Sequence, residues 1–459
     1  MKNLCKILPL TLLFAGVNVK AQDDAGNVSC EPYKAIEQRL ETMQEEIDSL
    51  KRENKKKDLL HRLSIGGYGE AVFTRNFYSD RYLRYTDAET YANDKSHGRF
   101  DLPHVVIWLG YDFGKGWTLG TEIEFEHGGV EAAVEVEEEE AGEYETEVER
   151  GGEVALEQFW INKEFLGGML NVKAGHIIVP VGGLNMYHLP GEFFTNYRPL
   201  GEYTILPSTW HETGLAIWGK TKHWRYEVCF IPGLDSDRFG RTGWIHDGAG
   251  SPYEFKIANA YAGAFRVDNF SVPGLRLSLS GYIGDTFHNT LSATDSEKYK
   301  GVKGTVTIGA FDLFYSGYNA IIRGNFDYGH LSDSEAITKY NMAMRKDSPS
   351  RKQAVASDAI AMGVEAGYNF FGLSSNPSIK KQQFWLFGRF EYFDSMYKTQ
   401  GTVQDYKWTA RRQIAAGINY RPIPDVIVKA DFHIGILDKR YNNEPAISIG
   451  VAYNGLFKL

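Results

Sequence analysis

Three cysteines among 459 residues are too few for a disulfide-stapled scaffold. Long apolar runs are scarce as well. Apart from "ILPLTLLFAGV" at 7–17, no stretch approaches the ~20 residues that a membrane-spanning helix needs. Nucleophile elbows, HExxH zinc helices and phosphate-cradling GxxxxGK[ST] loops are absent. His104, His127, His176 and His433 fall in expected strands without a serine partner, so a barrel enzyme is the weaker alternative and no catalytic residue is assigned. No cofactor and no metal set is read from the chain. Basic charge is not in excess either: the formal net charge is -9, which argues against a nucleic-acid partner.

What the chain has in quantity is glycine (48), tyrosine (27), phenylalanine (27) and tryptophan (9), at a mean hydropathy of -0.35. Aromatics and glycine in a mildly polar chain suit an all-β protein with many turns, including a transmembrane barrel whose strands are apolar on one face only. The acidity is localised. Segment 128–152 holds ten of the glutamates against a single arginine. Clustered carboxylates suit hard divalent cations, yet the spacing matches no EF-hand, so the segment reads as a solvated extracellular loop that bridges lipopolysaccharide through ions at most.

The N-terminus reads as a secretory signal: Lys2 and Lys6, the short apolar run, then Val19-Lys20-Ala21, with cleavage expected after Ala21. Residues 33–54 place Tyr33, Leu40, Ile47 and Asn54 at one heptad position and Ile36, Met43 and Leu50 at the other. That spacing is a coiled-coil seam, or else one amphipathic surface helix. From residue 62 the period drops to two. Sixteen strands are expected: 62–75, 99–113, 117–127, 153–165, 169–179, 211–219, 223–231, 256–267, 274–285, 302–314, 319–329, 357–371, 383–394, 406–420, 425–436 and 445–459. Short and long connections alternate, and aromatics such as Tyr111, Phe113, Trp117, Trp224, Tyr226, Tyr368, Phe370 and Tyr420 cluster beside the short turns. Even strand number, alternating loop length and aromatic girdles describe an outer-membrane barrel. The expected fold is therefore all-β: a 16-stranded antiparallel transmembrane β-barrel over 62–459, preceded by a signal peptide (1–21) and a short periplasmic coiled-coil segment (22–61).

The stretches "VKAGHIIVPVGGLNMYHLPGEFFTNYRPLGEYTILPSTWHETGLAIWG" (172–219) and "AAGINYRPIPDVIVKADF" (415–432), together with the N-terminal seam, resemble the phosphate-selective porin O/P family of Bacteroidetes type. The resemblance implies a trimeric channel in the bacterial outer membrane, with lipid and lipopolysaccharide around it and small hydrophilic or anionic solutes, phosphate among them, passing through it. A structural tether or adhesin, using the coiled coil or the extracellular loops, is the alternative from another class.

Sixteen strands leave room for an aqueous lumen, so polar-phase side chains become candidate lining. The basic ones are Lys173, Arg225, Arg276, Arg323, Arg389 and Lys429; the acidic ones are Glu122, Glu124, Glu126 and Glu365. Each either sets ion preference or fixes the wall through cross-strand ion pairs. The 180–210 connection is longer than an unstructured loop usually is, rich in proline, glycine and aromatics, and poor in charge. It is expected to fold inward, bringing Asn185, His188, Arg198 and His211 to the narrowest point; the alternatives are an exposed loop packed on a neighbouring subunit or one latched over the rim.

Overall fold

The computed structural model describes residues 43–46, 48–49, 61–94, 97–132, 135–138, 144–147, 150–250, 255–290, 297–344, 348 and 350–458. The chain divides into two units, Met1–Leu60 and His61–Leu459. In the first, the six described residues are helical. The signal segment and the remainder of the heptad seam lie outside the described residues.

Alternating side chains give the second unit its strands: β1 Leu63–Asn76, β2 His104–Gly114, β3 Trp117–Ala132, β4 Arg150–Phe165, β5 Leu170–Ile178, β6 His211–Lys220, β7 Trp224–Pro232 and β8 Tyr261–Asn269. The second half follows as β9 Leu275–Gly284, β10 Val306–Gly317, β11 Ala320–Leu331, β12 Asp358–Asn369, β13 Gln383–Lys398, β14 Ala410–Ile423, β15 Val426–Ile436 and β16 Ala446–Lys458. Consecutive strands pair antiparallel. The sheet closes where β1 meets β16, from Ser64↔Lys458 to Asn76↔Ala446. Closure leaves no unpaired sheet edge facing hydrocarbon, which could not satisfy one.

One phase of every strand faces outward. Ile107, Ile161, Ile217, Val228, Leu279, Phe326, Val364, Ile414, Val428 and Ile449 are all exposed there, forming an apolar band. Exposed aromatics border it beside the short turns (Phe113, Trp117, Phe165, Trp224, Tyr318, Phe370) and again beside the long loops (Phe77, Phe100, Phe230, Tyr261). Such rings favour the membrane–water boundary, where one end meets lipid and the other water. The turns are tight. Tyr318 and Asn319 take φ of 51° and 60°, both left-handed, as a two-residue I′ hairpin requires.

Some strand bounds differ from the expected ones for local reasons. The expected 99–113 strand breaks around Pro103, which has no N–H for the ladder, leaving a short strand Gly98–Asp101 before β2. Strand β8 starts at Tyr261 instead of residue 256. Lys256 is drawn to Glu212 (3.0 Å), and the Ala260 N–H donates to Asn289 Oδ1, so this segment belongs to the loops. The Glu-rich segment is more ordered than a bare loop: β3 runs to Ala132 and Glu135–Glu138 pairs with Tyr144–Glu147 as a ribbon.

The long loops turn into the barrel. Val179, Val181, Ile205, Leu206 and Trp210 join Leu234, Phe239, Trp244, Ile245 and Ile337 in one buried apolar cluster. The last of these belongs to the helix Ser334–Met342. The inner wall is small where this cluster presses on it: Ala216, Ala262, Ala264, Ala310, Ala359 and Ala361 are buried there. A Cβ at Gly329 would lie 2.0 Å from the Trp244 ring, and one at Gly367 2.4 Å from Phe194. No larger residue fits at either place.

Candidate constriction site

A chain crossing a lumen must find partners for every backbone N–H and C=O. Residues 179–210, here termed the strap, find them on the wall. At its base Val179 N–H donates to Trp210 O (2.9 Å). Asn185 staples the same two residues, its Nδ2 donating to Val179 O and its Oδ1 accepting from Trp210 N, both at 2.6 Å. Glu202, on the strap's own helix Leu200–Ile205, accepts from the N–H groups of Gly183, Leu184 and Asn185. Burial, with Asp312 close by, nonetheless raises its carboxyl to about 7.

Beyond the base, the wall supplies charge of the sign the backbone needs. Carboxylates take the strap's N–H groups: Glu365 from Phe194 (3.4 Å), Asp431 from Asn196 (2.8 Å) and Glu391 from Gly201 (2.9 Å). Cations take its carbonyls: Arg266 at Gly182 (3.0 Å), Arg421 at Gly191 (2.8 Å), and Lys429 at Phe193 (3.3 Å) and Thr195 (2.8 Å). Arg389 adds a bond to Thr195 Oγ1 (2.8 Å). The strap thus reaches β8, β12, β13, β14 and β15 from its root between β5 and β6.

The ten lining candidates all lie on the inner phase, and ion pairs bind most of them. Lys173 meets Glu227 at 3.0 Å, and Arg225 meets Glu227 (2.6 Å) and Asp268 (3.3 Å). Arg266 bridges Asp268 and Asp312, both at 2.8 Å, and Arg276 lies 3.4 Å from Asp312. Arg323 holds Glu365 at 2.8 Å, which Arg389 also meets at 3.3 Å, while Arg389 reaches Glu391 at 3.1 Å. Lys429 is bound to strap carbonyls instead. Glu122, Glu124 and Glu126 project inward from β3, the last partly exposed.

The four strap candidates separate. Asn185 is fully buried and structural. Arg198 is buried with its Nη2 4.0 Å from Glu124. His188 is buried too, and burial pushes its imidazole down to about 4. His211 is not at the narrow point. It stands on the outer phase of β6, with Leu215 and Ile217, and bonds His176 at 2.6 Å. The parity of a strand's first residue follows from the ladder, and Glu212 beside it takes the inner face.

Glu157 is a site residue that alternation hides. Between β3 and β4 the register shifts so that Glu122 opposes Gln158 while Ile123 opposes Leu156. The bulge residue, Glu157, turns into the lumen and is 1% exposed. The sequence carries the signal: the outward residues Val154 and Leu156 are followed by Phe159 and Ile161, a step of three where a flat strand steps by two. Asp268 and Asp312 were likewise missed.

Two cavities flank the strap. One of about 430 Å³, on the short-turn side, is lined by Arg276, Arg323, Arg389, Arg421, Tyr187 and Trp385 among others. One of about 300 Å³, on the long-loop side, is lined by Asn76, Tyr78, Arg99, Tyr197, Arg389 and Asp431 among others. Arg389 lines both. At the far rim a separate network ties the loops: Glu444 holds Arg84 (2.8 Å) and Arg411 (3.4 Å). Burial alone would raise the Glu444 carboxyl; the two guanidiniums and the Tyr85 hydroxyl together outweigh it and keep it below its ordinary value.

The strap's position is testable by cross-linking. A Cβ built at Gly201 lies 3.8 Å from Ala361 Cβ, the spacing of a disulfide, about 3.8 Å. In a chain lacking Cys30 and Cys229, Gly201→Cys with Ala361→Cys is expected to form that bond on mild oxidation, read as a shift in electrophoretic mobility that reductant reverses. Failure to cross-link in folded protein would put the strap elsewhere.

No family model matches the chain. An uncharacterized protein of Aquifex aeolicus (strain VF5) is 26% identical over 385 residues, covering 81% of this chain and 75% of its own length. Among solved structures, Salmonella typhi OmpF in complex with daunomycin superposes with a TM-score of 0.51 at 12% identity, over 87% of this chain and 98% of that one. An anion-selective porin from Comamonas acidovorans gives 0.47 at 10% identity, over 86% and 99%. The chain is a closed sixteen-stranded antiparallel barrel with the fold of the outer-membrane porins.

Proposed function

We propose that this protein is a passive outer-membrane channel for small hydrophilic or ionic solutes, with residues 179–210 and Arg389 setting its size limit. One observation carries the reading: a polar-lined barrel is crossed by its own third long loop, which leaves a cavity on each side and one arginine between them. The lining candidates then act twice, holding the strap and biasing which ions pass. Arg421, bonded to a backbone carbonyl instead of a carboxylate, and the neighbouring Arg276 and Arg323 favour anions; forked guanidiniums suit phosphate. Lipid and lipopolysaccharide would surround the apolar band, the N-terminal segment would lie in the periplasm, and a homotrimer is the expected assembly.

Planar-bilayer recording tests this. Purified protein is expected to insert in stepwise, ohmic increments, with reversal potentials in a salt gradient showing a mild anion preference and conductance falling when phosphate is added at constant ionic strength. A silent membrane would favour a tether. Conductance unaffected by phosphate would remove the phosphate reading and leave the channel.

A further inference from the structure

Glu122 and Glu124 of β3 meet the bulge and the strap at one buried point. One ligand atom each from Glu122, Glu157 and His188 lies within 4.8 Å of the others, and all three residues are buried. A neighbouring trio, His104, Glu124 and Glu126, shows the same spacing, but His104 and Glu126 are only partly buried, and Glu126 lies 4.0 Å from His104 Nε2.

His188 is different. Its Nδ1 lies 2.9 Å from Asn185 O. A carbonyl oxygen can only accept, so Nδ1 carries a proton, and in the neutral ring Nε2 keeps its lone pair. The residue is 5% exposed, and Nε2 has no hydrogen-bond partner. It faces the carboxylates. Their remaining oxygens are already oriented: Gln158 donates to Glu122, and Thr209 Oγ1 donates to Glu157 Oε1, while Glu157 Oε2 lacks a partner. Outer bonds of this kind hold ligands in place around metals.

The charges point the same way. Glu122, Glu124 and Glu157 face one cation, Arg198, 4.0 Å from Glu124. Buried carboxylates must be paired, protonated or metal-bound, and with all three ionised this set is two positive charges short. A proton shared among the carboxylates would meet part of that deficit but leave the Nε2 lone pair unused.

We propose that Glu122, Glu157 and His188 bind one divalent first-row transition-metal ion, clamping the strap to β3. One imidazole with two carboxylates is a borderline donor set, and Zn²⁺ fits it in four-coordinate form with water completing the shell.

Full-length protein, stripped with chelator in detergent, is titrated with Zn²⁺ by calorimetry and examined by X-ray absorption. The expected result is one ion per chain, nitrogen and oxygen ligands at about 2.0–2.1 Å with an imidazole signature, and affinity reduced at least ~10-fold in His188→Gln and Glu157→Gln. His104→Gln should bind like the parent. Heat-modifiable mobility reports folding of each variant, and Glu122→Gln, which keeps the side-chain shape, stands in should another fail. Absence of saturable binding by the parent, parental affinity in the folded variants, or loss in His104→Gln instead would each overturn the proposal.

Discussion

Replacing Arg276 and Arg323 together by glutamate is expected to swing the reversal potential toward cations, with the permeability ratio changed at least roughly fivefold, because one unit charge about 4 Å from a passing ion contributes about 1 kcal/mol even at the dielectric of bulk water. Both guanidiniums line the cavity on the short-turn side. Arg276 lies over the Tyr187 ring at 3.4 Å, and Arg323 over Phe194 at 5.1 Å. The measurement belongs at low salt, since the screening length is only about 10 Å at 0.1 M. Arginine-to-glutamine versions separate lost charge from reversed charge and should give a smaller shift in the same direction. An unchanged ratio in the double glutamate variant would mean that passing ions do not sense these positions, leaving the arginines as wall braces for Asp312 and Glu365.

Lys429→Met combined with Asp431→Leu is expected to free the middle of the strap. Lys429 serves the carbonyls of Phe193 and Thr195, and Asp431 serves Asn196 at both its backbone N–H and its side-chain amide. Losing them leaves polar groups to find water, at a cost of about 1–3 kcal/mol for each one left unsatisfied. Single-channel recording should show larger and noisier conductance, with a lower temperature for loss of the compact electrophoretic form. A quiet channel of parental conductance would assign the constriction to the strap base, where Asn185 acts, instead of to residues 193–196.

The architecture was readable because a lipid-facing strand wears its solvent on alternate residues. Sixteen strands and the inward loop follow from that alternation and from loop length, and the phase of "TLGTEIEFEH" put its three glutamates inside. What could not be read was pairing across the sheet. Whether Arg225 meets Asp268, or Arg266 meets Asp312, depends on register, which a single chain does not print. Glu157 was hidden because a bulge breaks the count within an otherwise regular strand. His211 was misplaced because a residue at the mouth of a strand has no phase of its own until its neighbour's is known. The wall charges also had a third use that neither ion preference nor cross-strand pairing covers, as partners for the strap's own peptide groups.

That third use ties together two traits that would otherwise vary separately. If the barrel conducts as proposed, a substitution at Glu391, Asp431 or Lys429 would alter what the tube lets through and, in the same stroke, how tightly its inner belt is fastened. Relatives adapting to a different solute would then be expected to change these positions in concert with their contacts at 193–201, as linked exchanges instead of single drifts.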